Sequence, residues 1–338
     1  MSLHEPFMQR ALALAKRGEG LTRPNPPVGA VLVQNGQIIA EGFHKKAGGP
    51  HAEVNCLRQV EDQKAKSLKS ATLYVTLEPC STTGRTPPCT DLILERGIRR
   101  VVIGTKDPNP VHAGRGIRIL RRAGVEVITG VCRAEADALI TPFSKRILTG
   151  MPYVTLKLAS TLDGRIADAS GKSKWITGPQ ARAKVQELRR SADAIMVGAG
   201  TVRADNPSLL PRPAKGRAPW RVVIGSALQA DAKVLTDEAS GRTLVMNGPL
   251  KKILHELGKI GVMHVLCEGG GELAGSLVRA GLVDEFALFV APSLLGGDAV
   301  PMVGKKGWPL ANMPLLQFQT LEKCGEDVFI RALPVRGK

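Results

Sequence analysis

The chain has 338 residues, 43% of them apolar and 23% charged, with 47 Lys and Arg against 30 Asp and Glu, a net charge of +17 and a pI near 9.9. That length suits about two domains, each able to bury its own core, in an ordinary soluble globular protein. No apolar run approaches membrane-spanning length, six scattered cysteines are not a disulfide framework, and 4% aromatics leave little for a base-stacking platform.

The expected compartment is the cytoplasm, because "MSLHEPFMQRALALAKRGEG" reads as an amphipathic helix with no cleavage site. The basic surface attracts anions of some kind: nucleic acid, an anionic membrane or phosphorylated small molecules.

"VGAVLVQNGQIIAEGF" predicts a hairpin turning at Asn35-Gly36. A helix opens near His51, a strand covers Ala71 to Leu77, and a helix starts at about Cys89. Strand "RRVVIGT", helix "GRGIRILRRAG" and strand "VEVIT" follow, then a helix from about Arg133 to Leu148, stopped by Gly150 and Pro152. The expected domain boundary lies there, giving 1–149 and 150–338. The second half alternates again through "YVTLKLAS", "DAIMVGAG", "WRVVIGS", "TLVMN", "MHVLCEGGG" and "EFALFVAP". Strands separated by helices in both halves predict two α/β domains in tandem.

The stretch "PCSTTGRTPPC" holds two thiols apart by a stiff, polar loop, and "HAE" places His51 and Glu53 in the first turn of a helix. One imidazole with Cys80 and Cys89 makes three soft ligands for a tetrahedral zinc, the fourth position staying open for water. Glu53, two residues from its neighbouring ligand, suits proton transfer. The order His-x-Glu, Pro-Cys, Cys matches the nucleobase-deaminase signature, although eight residues separate the cysteines here instead of two. Cys56, Cys132, Cys267 and Cys324 are read as structural.

"TRPNPPVGAV", "HAEVNCL", "TLEPC", "GRTPPC" and "DPNPVHAGRGI" together resemble the deaminase half of the bifunctional deaminase/reductase family of riboflavin biosynthesis. That family has the long loop between its cysteines. The resemblance implies a cytidine-deaminase-like three-layer domain with one Zn2+, and makes Asn25, His44, Arg85 and Asn109 substrate contacts, with Arg85 reaching the substrate phosphate. Thr82 stands where the family usually has histidine.

In the second half, "CEGGGELAGSLVRAGLVDEF" follows an apolar strand and opens a helix, a place where backbone N–H groups can meet a phosphate. With "LKLASTLDGRIA", "SKWITGPQARAKVQELR" and "VGAGTVRADNPSLLPR" it resembles the family's reductase half, which implies a dihydrofolate-reductase-like α/β domain using NADPH. By that resemblance Ala159, Trp175, Thr201, Asp205, Ser226 and the run Gly270, Gly271, Glu272, Leu273, Ala274, Gly275 and Ser276 face NADPH. Lys157, Ser173, Arg189, Leu209, Arg212 and Glu268 face the substrate, and the guanidinium forks of Arg189 and Arg212 suit its phosphate. The segment between "TLVMN" and "LKKILHELGKIG" is shorter than the family's.

The implied chemistry has two steps. The first is zinc-dependent hydrolytic deamination at C2 of 2,5-diamino-6-ribosylamino-4(3H)-pyrimidinone 5′-phosphate, with Glu53 moving the proton. The second is NADPH-dependent reduction of the ribosyl group to ribityl. The implied partners are phosphorylated small molecules and a further copy of the chain in a homo-oligomer, with neither nucleic acid nor membrane. Two rivals stand beside this reading: a nucleic-acid deaminase, and a reductase whose zinc domain is inactive or repurposed.

Overall fold

The computed structural model describes residues 3–60, 68–83, 87–214, 217–304 and 306–335. The chain divides into two compact units, Met1–Gly150 and Met151–Lys338.

The first unit runs α1 (Glu5–Lys16), β1 (Gly29–Gln34), β2 (Gln37–Phe43), α2 (Ala52–Leu57), β3 (Thr72–Leu77), α3 (Cys89–Glu95), β4 (Arg100–Thr105), α4 (Arg115–Arg122), β5 (Glu126–Thr129) and α5 (Arg133–Thr149). Its sheet has the order β2-β1-β3-β4-β5. The hairpin β1–β2 turns at Asn35 and Gly36, both at positive φ, the pair of left-handed residues that a two-residue turn demands. β1 pairs antiparallel with β3, while β3, β4 and β5 are parallel.

The helices cover both faces of this sheet. α1 and α5 bury Met8, Ala11, Leu12 and Leu139 against Val31, Val33 and Val102. Ala52, Leu57, Ile93, Ile117 and Leu120 of α2, α3 and α4 pack on the other face against Leu32, Leu73 and Ile103. Alternate residues of each strand therefore serve different layers, which is why these strands read as continuous apolar runs.

Two contacts between layers are made by backbone alone. A Cβ on Gly29 would lie 2.0 Å from the Ala11 carbonyl oxygen of α1, and one on Gly42 would lie 2.4 Å from the Cys56 nitrogen of α2. α5 ends where Gly150 takes the left-handed conformation and donates its N–H to the Arg146 carbonyl at 2.8 Å.

The second unit runs β6 (Tyr153–Thr161), β7 (Arg165–Ala167), α6 (Pro179–Ser191), β8 (Ala194–Gly198), α7 (Ala199–Asp205), β9 (Trp220–Ile224), α8 (Lys233–Thr236), β10 (Thr243–Met246), α9 (Leu250–Lys259), β11 (His264–Cys267), α10 (Gly271–Arg279), β12 (Glu285–Ala291), β13 (Val300–Pro301), β14 (Leu316–Cys324) and β15 (Asp327–Pro334). Its main sheet has eight strands in the order β10-β9-β8-β11-β6-β12-β15-β14. The strands from β10 to β12 are parallel, and β15 and β14 close the edge as an antiparallel hairpin. α9 and α10 cover one face through Leu254, Leu257, Leu273 and Leu277. On the other, Val202 of α7 and Val234 of α8 pack with Ile195 and Val223, and Ala181 and Val185 of α6 pack with Phe289 and Phe329. The parallel strands β6, β8, β9 and β11 bring their C-terminal ends to one edge, where open α/β sheets bind ligands.

Candidate active sites

In the first unit, His51 caps α2 in an extended conformation, Cys80 follows β3 by way of Pro79, and Cys89 opens α3 after Pro88. Nδ1 of His51 lies 3.5 Å from Cys80 Sγ and 3.3 Å from Cys89 Sγ, and the three ligand atoms fall within 4.8 Å of one another. A nitrogen and a sulfur on a tetrahedral zinc are roughly 3.5 Å apart, given bond lengths of about 2.0 and 2.3 Å. The donor set and its spacing therefore fit a zinc ion.

The Cys89 N–H points at Cys80 Sγ from 3.3 Å, and the Cys80 carbonyl accepts from Thr90 N–H, so strand end and helix start hold each other. Hydrogen bonding from Cys89 and His51 favours the Cys80 thiolate and lowers its pKa, while that neighbouring sulfur raises the pKa of Cys89. The Cys80 contact also raises the pKa of His51.

Glu53 sits in the first turn of α2 with 3% of its surface exposed. Burial first, then the Cys80 charge, raises its pKa, as a group that both takes and returns a proton near neutrality requires. His44, also buried, faces Pro50 O through Nδ1 at 2.9 Å, leaving Nε2 to accept from Asn25 Nδ2 at 3.3 Å. Burial lowers the His44 pKa, and its ring stands edge-on to His51 at 5.6 Å. The structure thus brings Asn25 and His44 beside the candidate zinc ligands. Asn109 stabilises its own turn, its Oδ1 accepting from Val111 N–H at 3.1 Å. Arg85 lies outside the described residues.

Sequence reasoning passed over Glu78. This buried carboxylate accepts from the backbone N–H of Asp107 at 3.2 Å, Gly114 at 2.9 Å and Ile117 at 3.3 Å. It ties the loop carrying Asn109 to the strand end carrying Cys80. A Cβ on Gly116 would lie 2.3 Å from Pro79 O, so the first turn of α4 also needs glycine to come so close. The available signal was an acidic residue directly after a strand rich in β-branched and apolar residues.

In the second unit an open cleft of about 1850 Å³ runs along the C-terminal strand ends. Every residue that the resemblance singles out in this half lines it except Ala274 and Gly275, which face inward on α10. Arg189 grips Glu268 with both arms, Nε to Oε1 at 2.6 Å and Nη2 to Oε2 at 3.0 Å, so its fork is taken up by a carboxylate instead of being held open for the phosphate expected of it, and Lys157 Nζ lies 3.8 Å from Oε2. Two cations share one carboxylate, leaving an excess positive charge in a nearly dry place. Burial lowers the Lys157 pKa; it would raise that of Glu268, but Arg189 and Lys157 overcome it and hold the carboxyl low.

The glycine turn divides its labour. A Cβ on Gly270 would meet only Thr201 Oγ1, at 3.5 Å, whereas on Gly271 it would lie 2.3 Å from Pro301 O and on Gly275 2.4 Å from Gly304 O. Gly270 keeps the cleft open, and the other two let the 301–304 segment pack on α10. Trp175 is 71% exposed, with the Arg182 guanidinium 4.5 Å above its ring. Lys174 Nζ reaches Asp205 Oδ1 at 3.2 Å, Leu209 is buried at φ 61, and Arg212 is held through its N–H by Gln186 Oε1 at 2.8 Å. The buried Arg221 of β9 donates to Ser208 O at 3.1 Å and Asp237 Oδ2 at 2.6 Å, fixing the chain beside Leu209. An arginine inside an apolar strand was its signal in the sequence.

Residues 1–105 match the cytidine and deoxycytidylate deaminase zinc-binding region, and residues 152–330 match the RibD C-terminal domain. The riboflavin biosynthesis protein RibD of Actinobacillus pleuropneumoniae is 42% identical over 96% of this chain and 93% of its own, and that of Escherichia coli K12 is 42% identical over 96% and 97%. The alignment with the Bacillus amyloliquefaciens protein spans 367 positions, more than the 338 residues here, so that relative carries segments this chain lacks. Among solved structures, Acinetobacter baumannii RibD superposes with a TM-score of 0.92 at 40% identity, covering 99% of both chains. The diaminohydroxyphosphoribosylaminopyrimidine deaminase/5-amino-6-(5-phosphoribosylamino)uracil reductase of Thermotoga maritima gives 0.90 at 39% identity, covering 98% of this chain and 99% of its own.

Proposed function

The chain belongs to the RibD family, bifunctional deaminase/reductases of riboflavin biosynthesis, and from that premise we propose how its two sites divide the work. The first unit removes the C2 amino group of 2,5-diamino-6-ribosylamino-4(3H)-pyrimidinone 5′-phosphate. The second reduces the ribosyl group of that product to ribityl, giving 5-amino-6-ribitylamino-uracil 5′-phosphate.

His51, Cys80 and Cys89 are the residues to hold zinc, which when bound supplies the Lewis acidity that makes water nucleophilic near neutral pH. Glu53 takes the proton of the attacking water and hands it to the departing ammonia, a task its burial and raised pKa suit. Asn25 and His44 orient the pyrimidine, with the His44 ring kept neutral by burial. Arg85 and Asn109 complete the substrate contacts.

In the second unit NADPH, when bound, supplies the hydride that reduces C1′. Lys157, Arg189 and Glu268 form the floor under the reacting carbon, and their net positive charge favours an anionic substrate. Ser173, Leu209 and Arg212 flank the substrate. Ala159, Trp175, Thr201, Asp205, Ser226 and the Gly270 to Ser276 turn receive the coenzyme.

Partners on this reading are phosphorylated small molecules and a second copy of the chain, with neither nucleic acid nor membrane, in the cytoplasm. Among the described residues no helix is long and apolar enough to cross a membrane. The convergence of one imidazole and two thiols beside the buried Glu53 carries the reading of a working deaminase.

The test is ammonia release from the diaminopyrimidinone substrate, wild type beside Glu53→Ala, with NADPH oxidation followed separately on the deaminated intermediate. Release that vanishes in the variant while NADPH oxidation survives supports two independent sites. No ammonia from the wild type, with reductase activity intact, refutes the deaminase assignment.

A further inference from the structure

The reductase cleft is ordered along the sheet as a dinucleotide is ordered along its length. Lys157 from the middle of β6, Glu268 just past the end of β11 and Arg189 of α6 gather into one triad. The open Gly270 turn follows β11, suited to a pyrophosphate. Next in the sheet come β8 and β9, the latter two strands, or about 10 Å, from β11. That is where an adenosine ribose falls when the nicotinamide lies over the triad.

The far end carries exposed positive charge. Arg203 of α7 lies across the end of β9, its Nη1 donating to the carbonyls of Ser226 at 3.3 Å and Ala227 at 3.4 Å. Its Nη2 overhangs the start of α7, 3.9 Å from where a Cβ on Gly200 would stand. Nothing lies within 4 Å of the Cβ position on Gly198, and both Gly198 and the exposed Arg203 line the cleft. Lys233 lines the same end, its backbone fixed by Asn206 Oδ1 at 2.8 Å. The carboxylate nearest in sequence to Arg203, that of Asp205, is engaged by Lys174.

NADPH differs from NADH by one phosphate on the adenosine ribose, and an arginine fork is the side chain best matched to a phosphate dianion. We propose that Arg203, seconded by Lys233, reads the adenosine 2′-phosphate and so sets the preference of this reductase for NADPH. The inference rests on the reductase reading above. It adds two residues from outside the motifs' implied contacts and gives them one role: Arg203 reaches the phosphate with the Nη2 and Nε that its backbone contacts leave unused, and Lys233 adds a point charge.

The experiment is equilibrium binding to the full chain by titration calorimetry, with NADPH, NADH, adenosine 2′,5′-bisphosphate and AMP as probes. Arg203→Leu is expected to weaken NADPH and adenosine 2′,5′-bisphosphate by roughly 10- to 100-fold, the worth of one or two charged hydrogen bonds, while NADH and AMP change less than about 2-fold. Arg203→Lys is expected to recover part of the loss, and Lys233→Ala to lose less than Arg203→Leu. A merely structural Arg203 weakens all four probes alike, and that outcome overturns the proposal, as does an unchanged NADPH affinity. A wild type that binds NADPH tightly but ignores the substitution overturns the proposal alone. A wild type that binds neither coenzyme overturns the reductase reading with it.

Discussion

Arg189 and Glu268 are joined by two parallel hydrogen bonds, 2.6 and 3.0 Å long, across 79 positions of sequence. With Lys157 beside them, the carboxylate is the counter-ion for both largely covered cations. Glu268→Gln is expected to cost about 3 kcal/mol of stability, the usual result of leaving buried charge uncompensated. Because the folded pKa of Glu268 is lowered, its contribution is present above the ordinary carboxylate range and is lost as pH falls through the folded value. The deficit of the variant therefore narrows on acidification. Denaturant unfolding at pH 7 and below pH 4 checks this, and a deficit that widens in acid contradicts it.

Chelation separates the two activities. Removing zinc is expected to stop ammonia release and to leave NADPH oxidation within about 2-fold, since the ligands belong wholly to the first unit. Cys89→Ser is expected to bring bound zinc from about one per chain towards zero. Metal analysis beside both assays decides it, and full deaminase turnover by the metal-free protein sinks it.

Glu78 anchors the loop that carries Asn109. Three N–H groups converge on its carboxylate, and glutamine offers a single acceptor oxygen and turns an NH2 toward donors. Glu78→Gln is expected to raise the deaminase KM about 10-fold, the cost of one unmet buried group, with zinc content retained. An unchanged KM shows that the loop does not need the clamp.

Arg221 is expected to hold the chain beside Leu209. Arg221→Met is expected to lose the Ser208 contact, raising the substrate KM of the reductase, and to leave Asp237 uncompensated, making the reductase unit less stable by about 3 kcal/mol. Adding Asp237→Leu restores stability because the stranded charge is gone, but the raised substrate KM of the reductase persists. If the double variant recovers both, the role of Arg221 is purely structural.

Most of the sheet was legible because its strands are buried apolar runs whose ends carry turn residues, as at Asn35-Gly36 and Gly150. The hairpin β14–β15 was not assigned from sequence. β14 sits at the sheet edge with Phe318 and Leu321 exposed, so neither an apolar run nor a clean alternation marks it. The zinc constellation was readable because its ligands lie in short motifs that each name one chemistry. What Arg189 does in the folded chain was not, since nothing local announces a partner 79 residues away. Glu78 was hidden for the same reason, its three donors being dispersed between positions 107 and 117.

Gly42 has an influence that no side chain could exert. Its bare Cα lets α2 rest on β2 with no gap, a Cβ there lying 2.5 Å from Ala52 O, and α2 carries Glu53 in its first turn. A methyl group at that point would lift the helix, admit water beneath the carboxyl and return it toward ordinary acidity. The strength of the proposed base is thus tuned by interlayer spacing, and this part of the protein can change its chemistry only by changing its architecture.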